Sequence, residues 1–476
     1  MRPLEISLVV LTVFSAVCLL LGRWRQAGRL LLAGALVVAV AHWTLEGEHW
    51  QMIPAYAAIG ILCLVAWKSG GGRRLPMLAA LSSLLLAAAS ILFSLVLPMF
   101  QLPKPTGPYP IGTKILYLKD SSRTEDAVAA GGSARELMVQ LWYPAQPSRN
   151  PIAHYRESRE TNLLSSYQSI IPTHSRLDAP PAIAGAPFTV ILFNHGWHGR
   201  RTNDTFLTEE LASHGYVVAS IDHTYNASLV AFPDGRIVRT TAATDIDFPE
   251  MSTPQRVQTT WGRELLKQAA DQRFVLDQLE AMNQAAGTAW FGRLNTKMAG
   301  AIGHSFGGAA ATEMCSKDPR VRAAVNMDGW FFDAIRVRGP DQPLLFIDTA
   351  TVQPDLTPYL KTSVSAALDA SDFADVEASL RRFGGYRLSV NGAAHEDFTD
   401  QPLISPFRQV SHRGALSAGQ IEPAVRAYVL AFFDKTLRGG DPEILRARSS
   451  PYTGVSLETW PAAKAKIAPP IDAQGR

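Results

Sequence analysis

Charge is spread so unevenly along this chain that a single soluble domain does not accommodate it. Of 45 Lys and Arg and 42 Asp and Glu residues, only ten fall among the first hundred positions. Four apolar runs fill that stretch: Ile6–Leu21, Leu30–Leu45, Met52–Trp67 and Leu75–Phe100. With its flanks, each approaches the length of about 17–25 residues at which a helix crosses a bilayer core. A cleaved signal peptide accounts for the first run alone and leaves three unexplained. About four transmembrane helices are therefore expected in residues 1–100, the second being the weakest because it is short and carries His42 near its end. Arg23, Arg25 and Arg29 lie between the first two runs, and Lys68, Arg73 and Arg74 between the last two. Glu46 and Glu48 separate the middle pair. Lys and Arg favour the cytoplasmic side. The expectation is thus an integral, multi-pass protein whose globular part faces the periplasm or the cell exterior, with Arg2 the contrary charge. No Asp, Glu, Lys or Arg lies within the four runs, so the region reads as an anchor in the lipid bilayer and not as a transport path.

The rest of the chain has ordinary globular composition. A net charge of +3 with scattered basic residues gives no footprint for nucleic acid. Of three cysteines, Cys18 and Cys63 sit in apolar runs and Cys315 stands alone, so neither a disulfide framework nor a CxxC metal site is expected. Nothing calls for a cofactor.

Residues 101–112 are rich in Pro and Gly and read as a linker. Beyond it, "TKILYLKD", "RELMVQLWYP", "FTVILFNHG", "YVVASIDH", "MAGAIG", "VRAAVNMD", "PLLFIDTA" and "YRLSVNGAAHED" have strand character. "TNDTFLTEELASHG", Thr253–Asn283 and "IEPAVRAYVLAFFDKTLRGG" have helical spacing, and Asp234–Gly235 marks a hairpin. Strands alternating with helices predict an α/β fold, a mostly parallel sheet covered on both faces, over residues 113–440. Residues 441–476 are left as a C-terminal extension, with a loose tail from Ala462. Pro151–Pro187 and Gln353–Arg382 read as irregular. In such a sheet the site lies beyond the carboxyl ends of the strands, which is a test for each candidate residue.

Ser305 passes it. In "MAGAIGHSFGG" it follows a strand, precedes a helical run, and is flanked by Gly303 and Gly307. A serine on a sharp strand-to-helix turn needs such small neighbours, and the turn aims the N–H of Phe306 at the site. A serine hydroxyl needs a base, and elbow hydrolases run in the order Ser, acid, His. His395, after the last strand-like run, is the expected base. His304 would point elsewhere, His195 starts a different loop and His412 lacks a preceding strand. Asp328 and Asp348 both end strands between Ser305 and His395, and pattern alone does not choose between them as the acid. "NHGWHGRR" (Asn194–Arg201) follows a buried strand, and its Trp197 N–H is the expected partner of Phe306 N–H in an oxyanion hole.

Together "FNHGWHGRRT", "GHSFGG", "MDGWFF" and "AAHEDFTD", with "GPYPIG" and "VQLWYPA" before them, resemble the plasma-type (isoform II) platelet-activating factor acetylhydrolases and their bacterial relatives. The likeness spans about Gly107–Arg438. It implies an α/β-hydrolase fold, no metal, and cleavage of short or oxidised acyl chains from phospholipids. It also implies that the acid is the Asp328 of "MDGW", and that Trp197 and Phe306 hold the oxyanion. The chain departs from the family in its four-run N-terminus and in the bulky Trp197 loop. On the same core a broad carboxylesterase, a polyester hydrolase or an acyltransferase is the nearest alternative. A non-catalytic membrane sensor or transport subunit is the alternative from another class.

Overall fold

In the computed structural model of the chain, the apolar strand-like runs pair into one large sheet. The structure describes residues 1–22, 24–47, 49–66, 74–125, 132–241, 254–332, 335, 339–340, 342–349 and 374–461. Arg23, Glu48, Lys68 and Arg73, the Gly-rich turn after the first strand, residues 353–373 of the irregular stretch and the tail from Ala462 lie outside the described residues.

The strands are β1 (Ile111–Thr124), β2 (Ala134–Pro144), β3 (Ile152–His154), β4 (Pro172–Leu177), β5 (Phe188–Asn194), β6 (Tyr216–Asp222), β7 (Leu229–Ala231), β8 (Ile237–Arg239), β9 (Leu294–His304), β10 (Val321–Met327), β11 (Leu344–Asp348), β12 (Gly385–Val390) and β13 (Val455–Trp460). Eleven form a sheet in the order β13-β12-β11-β10-β9-β5-β6-β2-β1-β4-β3, and β7 and β8 pair as the hairpin around Asp234–Gly235. The six central strands, β12 to β6 in that order, run parallel. They are buried on both faces, which is why β5 and β6 read as unbroken apolar runs. The chain leaves β5 for β6 on one side and returns to β9 on the other. This strand-order reversal opens a crevice at the carboxyl ends of β5 and β9, the place where such sheets take ligands.

Helices α5 (Thr205–Ser213), α6 (Pro254–Gln284), α7 (Phe306–Lys317) and α8 (Ala418–Arg438) belong to this unit, and residues 374–383, inside the stretch Gln353–Arg382 that reads as irregular, are helical as well. Its core includes Leu137, Val190, Leu192, Val217, Leu276, Ala301 and Met314, all essentially without solvent contact. Other expectations change too. The stretch Pro151–Pro187 is not wholly irregular, because β3 and β4 lie in it. The C-terminal extension is not separate from the sheet: β13 pairs antiparallel with β12 from Trp460–Gly385 to Val455–Val390. The linker packs on α5. Thr106 N–H donates to Glu210 (2.9 Å) and Tyr109 N–H to the Ser213 carbonyl (3.1 Å). A Cβ on Gly107 would lie 2.1 Å from the Ser213 oxygen, so only glycine passes there.

The first hundred residues form α1 (Pro3–Leu21), α2 (Arg25–Ala41), α3 (Ile53–Ala66) and α4 (Arg74–Val96), and α2 continues as a π-turn through His42–Glu46. Three of these, Pro3–Leu21, Arg25–Glu46 and Arg74–Val96, are long and apolar enough to cross a membrane; Trp50–Ala66 is shorter. By length the third helix, not the second, falls short. The apolar runs themselves are free of charge, but α1 starts three residues before its run and so contains Glu5, which is wholly buried. The helices cluster compactly with residues 154–173 and 401–411 into one unit, and the remaining chain forms the other. Within that first unit, Trp50 Nε1–H donates to the Leu164 carbonyl (3.0 Å) and Ser405 Oγ–H to the Val96 carbonyl (2.5 Å). Phe100 meets Tyr155 edge to face at 5.1 Å.

Candidate active site

Ser305 sits between β9 and α7 at φ 54° and ψ −125°, a conformation that costs a non-glycine residue roughly 1–3 kcal/mol. Close packing imposes it. A Cβ on Gly303 would lie 2.3 Å from the Gly307 carbonyl carbon, and one on Gly307 2.2 Å from the Asn194 oxygen. The two glycines let α7 start directly against the end of β5. Ser305 N–H donates to the Met327 carbonyl (2.7 Å), tying the turn to the end of β10. Its side chain stays half-exposed, while Phe306 is buried at the first position of α7. Among the described residues no acceptor meets Phe306 N–H, as expected in the first turn of a helix.

The structure brings His395 and Asp328 together. His395 opens a short 3-10 turn after β12, and its Nδ1 lies 2.6 Å from Asp328 Oδ2. A carboxylate only accepts, so Nδ1 carries the proton and Nε2 is left as a basic nitrogen. Asp328 reaches this place through a left-handed turn at φ 59° at the end of β10. Burial alone would lower the basicity of His395, but the Asp328 bond and the nearby Glu396 charge outweigh it, and its pKa is raised. Asp348 points elsewhere: its Oδ2 pairs with Arg387 Nε at 2.6 Å across β11 and β12. No hydrogen bond joins Ser305 to His395 among the described residues. In a site without substrate such a contact is often long and tightens on binding.

Trp197 follows β5 in the loop Asn194–Arg201. Its indole packs edge-on against Phe306 (5.2 Å, 89°) and against Trp261 of α6 (5.2 Å). Trp261 in turn meets Phe306 at 4.8 Å and stacks with Phe332 at 6.1 Å. The backbone donors expected at Trp197 and Phe306 thus belong to residues whose side chains pack on each other. Asp400, five residues beyond His395, accepts from Thr205 N–H (2.7 Å) and Phe206 N–H (3.1 Å) at the start of α5. That contact ties the histidine loop to the helix following the Trp197 loop.

The structure adds three features around these residues. His304 does not point away: its Nε2 lies 2.8 Å from the His395 carbonyl, and the two rings are 4.5 Å apart. His195 belongs to the site loop, where Nδ1–H donates to the Gly196 carbonyl (2.7 Å); burial and the neighbouring His223 hold its pKa down to about 4. Beneath the loop runs a buried polar chain. Arg135 contacts Asp271 (2.7 Å), His223 bridges Asp271 (2.8 Å) and Asn194 (3.1 Å), and Asn194 donates to Gln272 (3.0 Å). Its members come from four distant segments, so no local spacing announces it.

In the other unit, Glu5, His42 and Glu46 offer ligand atoms within 4.8 Å of one another. Arg2 already fills that place. Its Nε lies 2.8 Å from Glu5 and 3.4 Å from Glu46, and a terminal nitrogen lies 3.0 Å from His42 Nε2. A guanidinium there supplies the cationic charge the carboxylates require.

Comparison with known proteins finds esterases. Residues 96–233 and 275–438 match the family described as platelet-activating factor acetylhydrolase, isoform II. A probable 1-alkyl-2-acetylglycerophosphocholine esterase from Arthroderma benhamiae is 25% identical over 404 residues, covering 77% of this chain and 96% of that protein. The platelet-activating factor acetylhydrolase of Cavia porcellus is 24% identical over 367 residues, covering 71% and 78%. Among solved structures, a ferulic acid esterase from Streptomyces cinnamoneus is similar with a TM-score of 0.60 and 32% identity, covering 75% of this chain and 99% of that one.

Proposed function

The chain belongs to the platelet-activating factor acetylhydrolase, isoform II, family, and from that premise we propose that it is a membrane-anchored serine ester hydrolase acting through an acyl-enzyme on short or oxidised acyl esters of phospholipids. The observation that carries the reading is the 2.6 Å contact of His395 Nδ1 with Asp328, which leaves Nε2 basic beside the strained Ser305 turn. Ser305 Oγ attacks the ester carbonyl as His395 Nε2 takes its proton. Asp328 stabilises the imidazolium, and the N–H groups of Trp197 and Phe306 receive the oxyanion. The ester C–O bond breaks and His395 returns the proton to the departing alcohol. A water deprotonated by His395 then attacks the acyl group, and Ser305 leaves with the proton as the carboxylic acid is released.

The anchoring part rests on three helices of spanning length and a fourth shorter one. Arg25, Arg29 and Arg74 lie at one end of those helices in sequence, and positive loops favour the cytoplasm, which supports a periplasmic or extracellular hydrolase unit. Ser305→Ala is expected to reduce hydrolysis of a short-chain nitrophenyl ester by at least about 10,000-fold and to abolish fluorophosphonate labelling, in protein with unchanged circular dichroism. Retained turnover overturns the reading.

A second reading has one observation in its favour. Trp197, Trp261 and Trp330, all partly buried, cluster around Phe306, and the ferulic acid esterase shares the fold at 32% identity. Those flat surfaces suit an aromatic acyl group. Comparing kcat/KM for feruloyl, acetyl and acetylated-phospholipid esters separates a broad carboxylesterase from a phospholipid esterase.

A further inference from the structure

We propose that His304, the residue before the nucleophile, is a positioning residue whose Nε2–H holds the backbone carbonyl of His395 and so keeps the His395 ring in place. The inference rests on the reading of Ser305, Asp328 and His395 given above. The Asp328 bond fixes one edge of the His395 ring, yet a ring held at one edge still swings about that contact. His304 supplies the second restraint. Its Nε2 lies 2.8 Å from the His395 oxygen, and its ring lies against the His395 ring with centroids 4.5 Å apart and planes inclined by 44°. A carbonyl only accepts, so His304 is the Nε2–H tautomer.

The donor is also constant. His304 is 4% exposed, and burial together with His395 beside it lowers its pKa to about 4. It therefore stays neutral wherever His395 is itself a base, and adds no charge against the imidazolium that forms. The groups acting on His395 are Asp328 from the β10 turn, His304 from β9 and Glu396 on its own turn. The other side of His304 faces the Trp197 loop: a Cβ placed on Gly196 would lie 3.1 Å from His304 Nδ1 and 3.1 Å from Ser305 Cβ. One buried ring thus touches the nucleophile turn, the base loop and the oxyanion loop. A phenyl ring would fill the same space. What it lacks is the donor.

The test uses the full chain in detergent micelles, with kcat, KM and the pH profile of kcat/KM measured on a short-chain nitrophenyl ester for His304→Phe and His304→Gln, and with Ser305→Ala as control. His304→Phe is expected to lower kcat by about 10- to 100-fold with KM changed less than about threefold. Its acid limb should move to lower pH, because a looser His395 loses part of the Asp328 interaction that raises its pKa. His304→Gln, whose amide donates from a similar reach, should recover most of kcat and restore the limb. Wild-type kcat and limb in His304→Phe overturn the proposal. So do equal losses in both variants with an unmoved limb, which would mean packing alone. If His304→Phe does not accumulate folded, His304→Asn, with a shorter amide, takes its place under the same criteria. Activity in Ser305→Ala would instead overturn the underlying reading.

Discussion

At the scale of single residues, two non-glycine positions in left-handed backbone define the site, Ser305 at φ 54° and Asp328 at φ 59°. Both stand directly after a central parallel strand, and each turn sets one side chain above the sheet edge. The two candidate acids differ in partner and therefore in expected consequence. Asp328→Asn should cut kcat by about 10,000-fold, since an amide stabilises neither the right tautomer nor the imidazolium. Asp348→Asn should leave kcat within a few fold and lower the melting temperature, because it weakens the buried Arg387 pair. Steady-state kinetics and thermal unfolding of the two variants check this. The serine was legible because the Gly303–Gly307 spacing is forced by close packing, which leaves its trace in the sequence. The choice of acid was not legible from strand ends, because Asp328 and Asp348 both satisfy them; only the family likeness separated the two. His304 left no trace at all. The residue between glycine and serine in an elbow is free in the pattern, and its bond is to a backbone atom 91 residues away.

At the scale of elements, the family match leaves out the first two-thirds of α6, residues 254–274. Residues 234–274 lie between the matched segments, and Trp261 lies within them. Its indole contacts both Trp197 and Phe306, the residues assigned to the oxyanion hole. Trp261→Ala is expected to lower kcat/KM for an acetyl ester by about tenfold through looser donors, and for a feruloyl ester by more, through the lost aromatic face. Equal kcat/KM in wild type and variant on both esters would assign Trp261 to packing alone. The central strands and helices were legible because burial on both faces writes unbroken apolar runs and the helices carry a 3.6-residue period. The edge strands were not. β3 has three residues, and β4 reads Pro-Thr-His-Ser-Arg-Leu, with no apolar alternation to mark it. Such strands form because a neighbour offers a free edge, a fact of topology and not of local sequence.

At the scale of the whole molecule, the sequence suggested an anchor, a linker and a hydrolase strung in order, whereas the chain passes between its two compact units five times, at 102/103, 153/154, 173/174, 400/401 and 411/412. A linear reading misses this because the two later excursions, 154–173 and 401–411, have no apolar run of their own; they join the helices through single contacts such as Trp50 with Leu164 and Val96 with Ser405. With a protease site engineered between Pro103 and Pro108, cleavage should yield two fragments on a denaturing gel that still co-purify in mild detergent. Separation of the fragments under native conditions would contradict the prediction. The interleaving bears on the anchoring proposed above. A protein on a simple stalk is shed by one cut. Here a single nick is expected to detach nothing, because residues 154–173 and 401–411 stay packed with the helices, and release would require them to be pulled out against that packing.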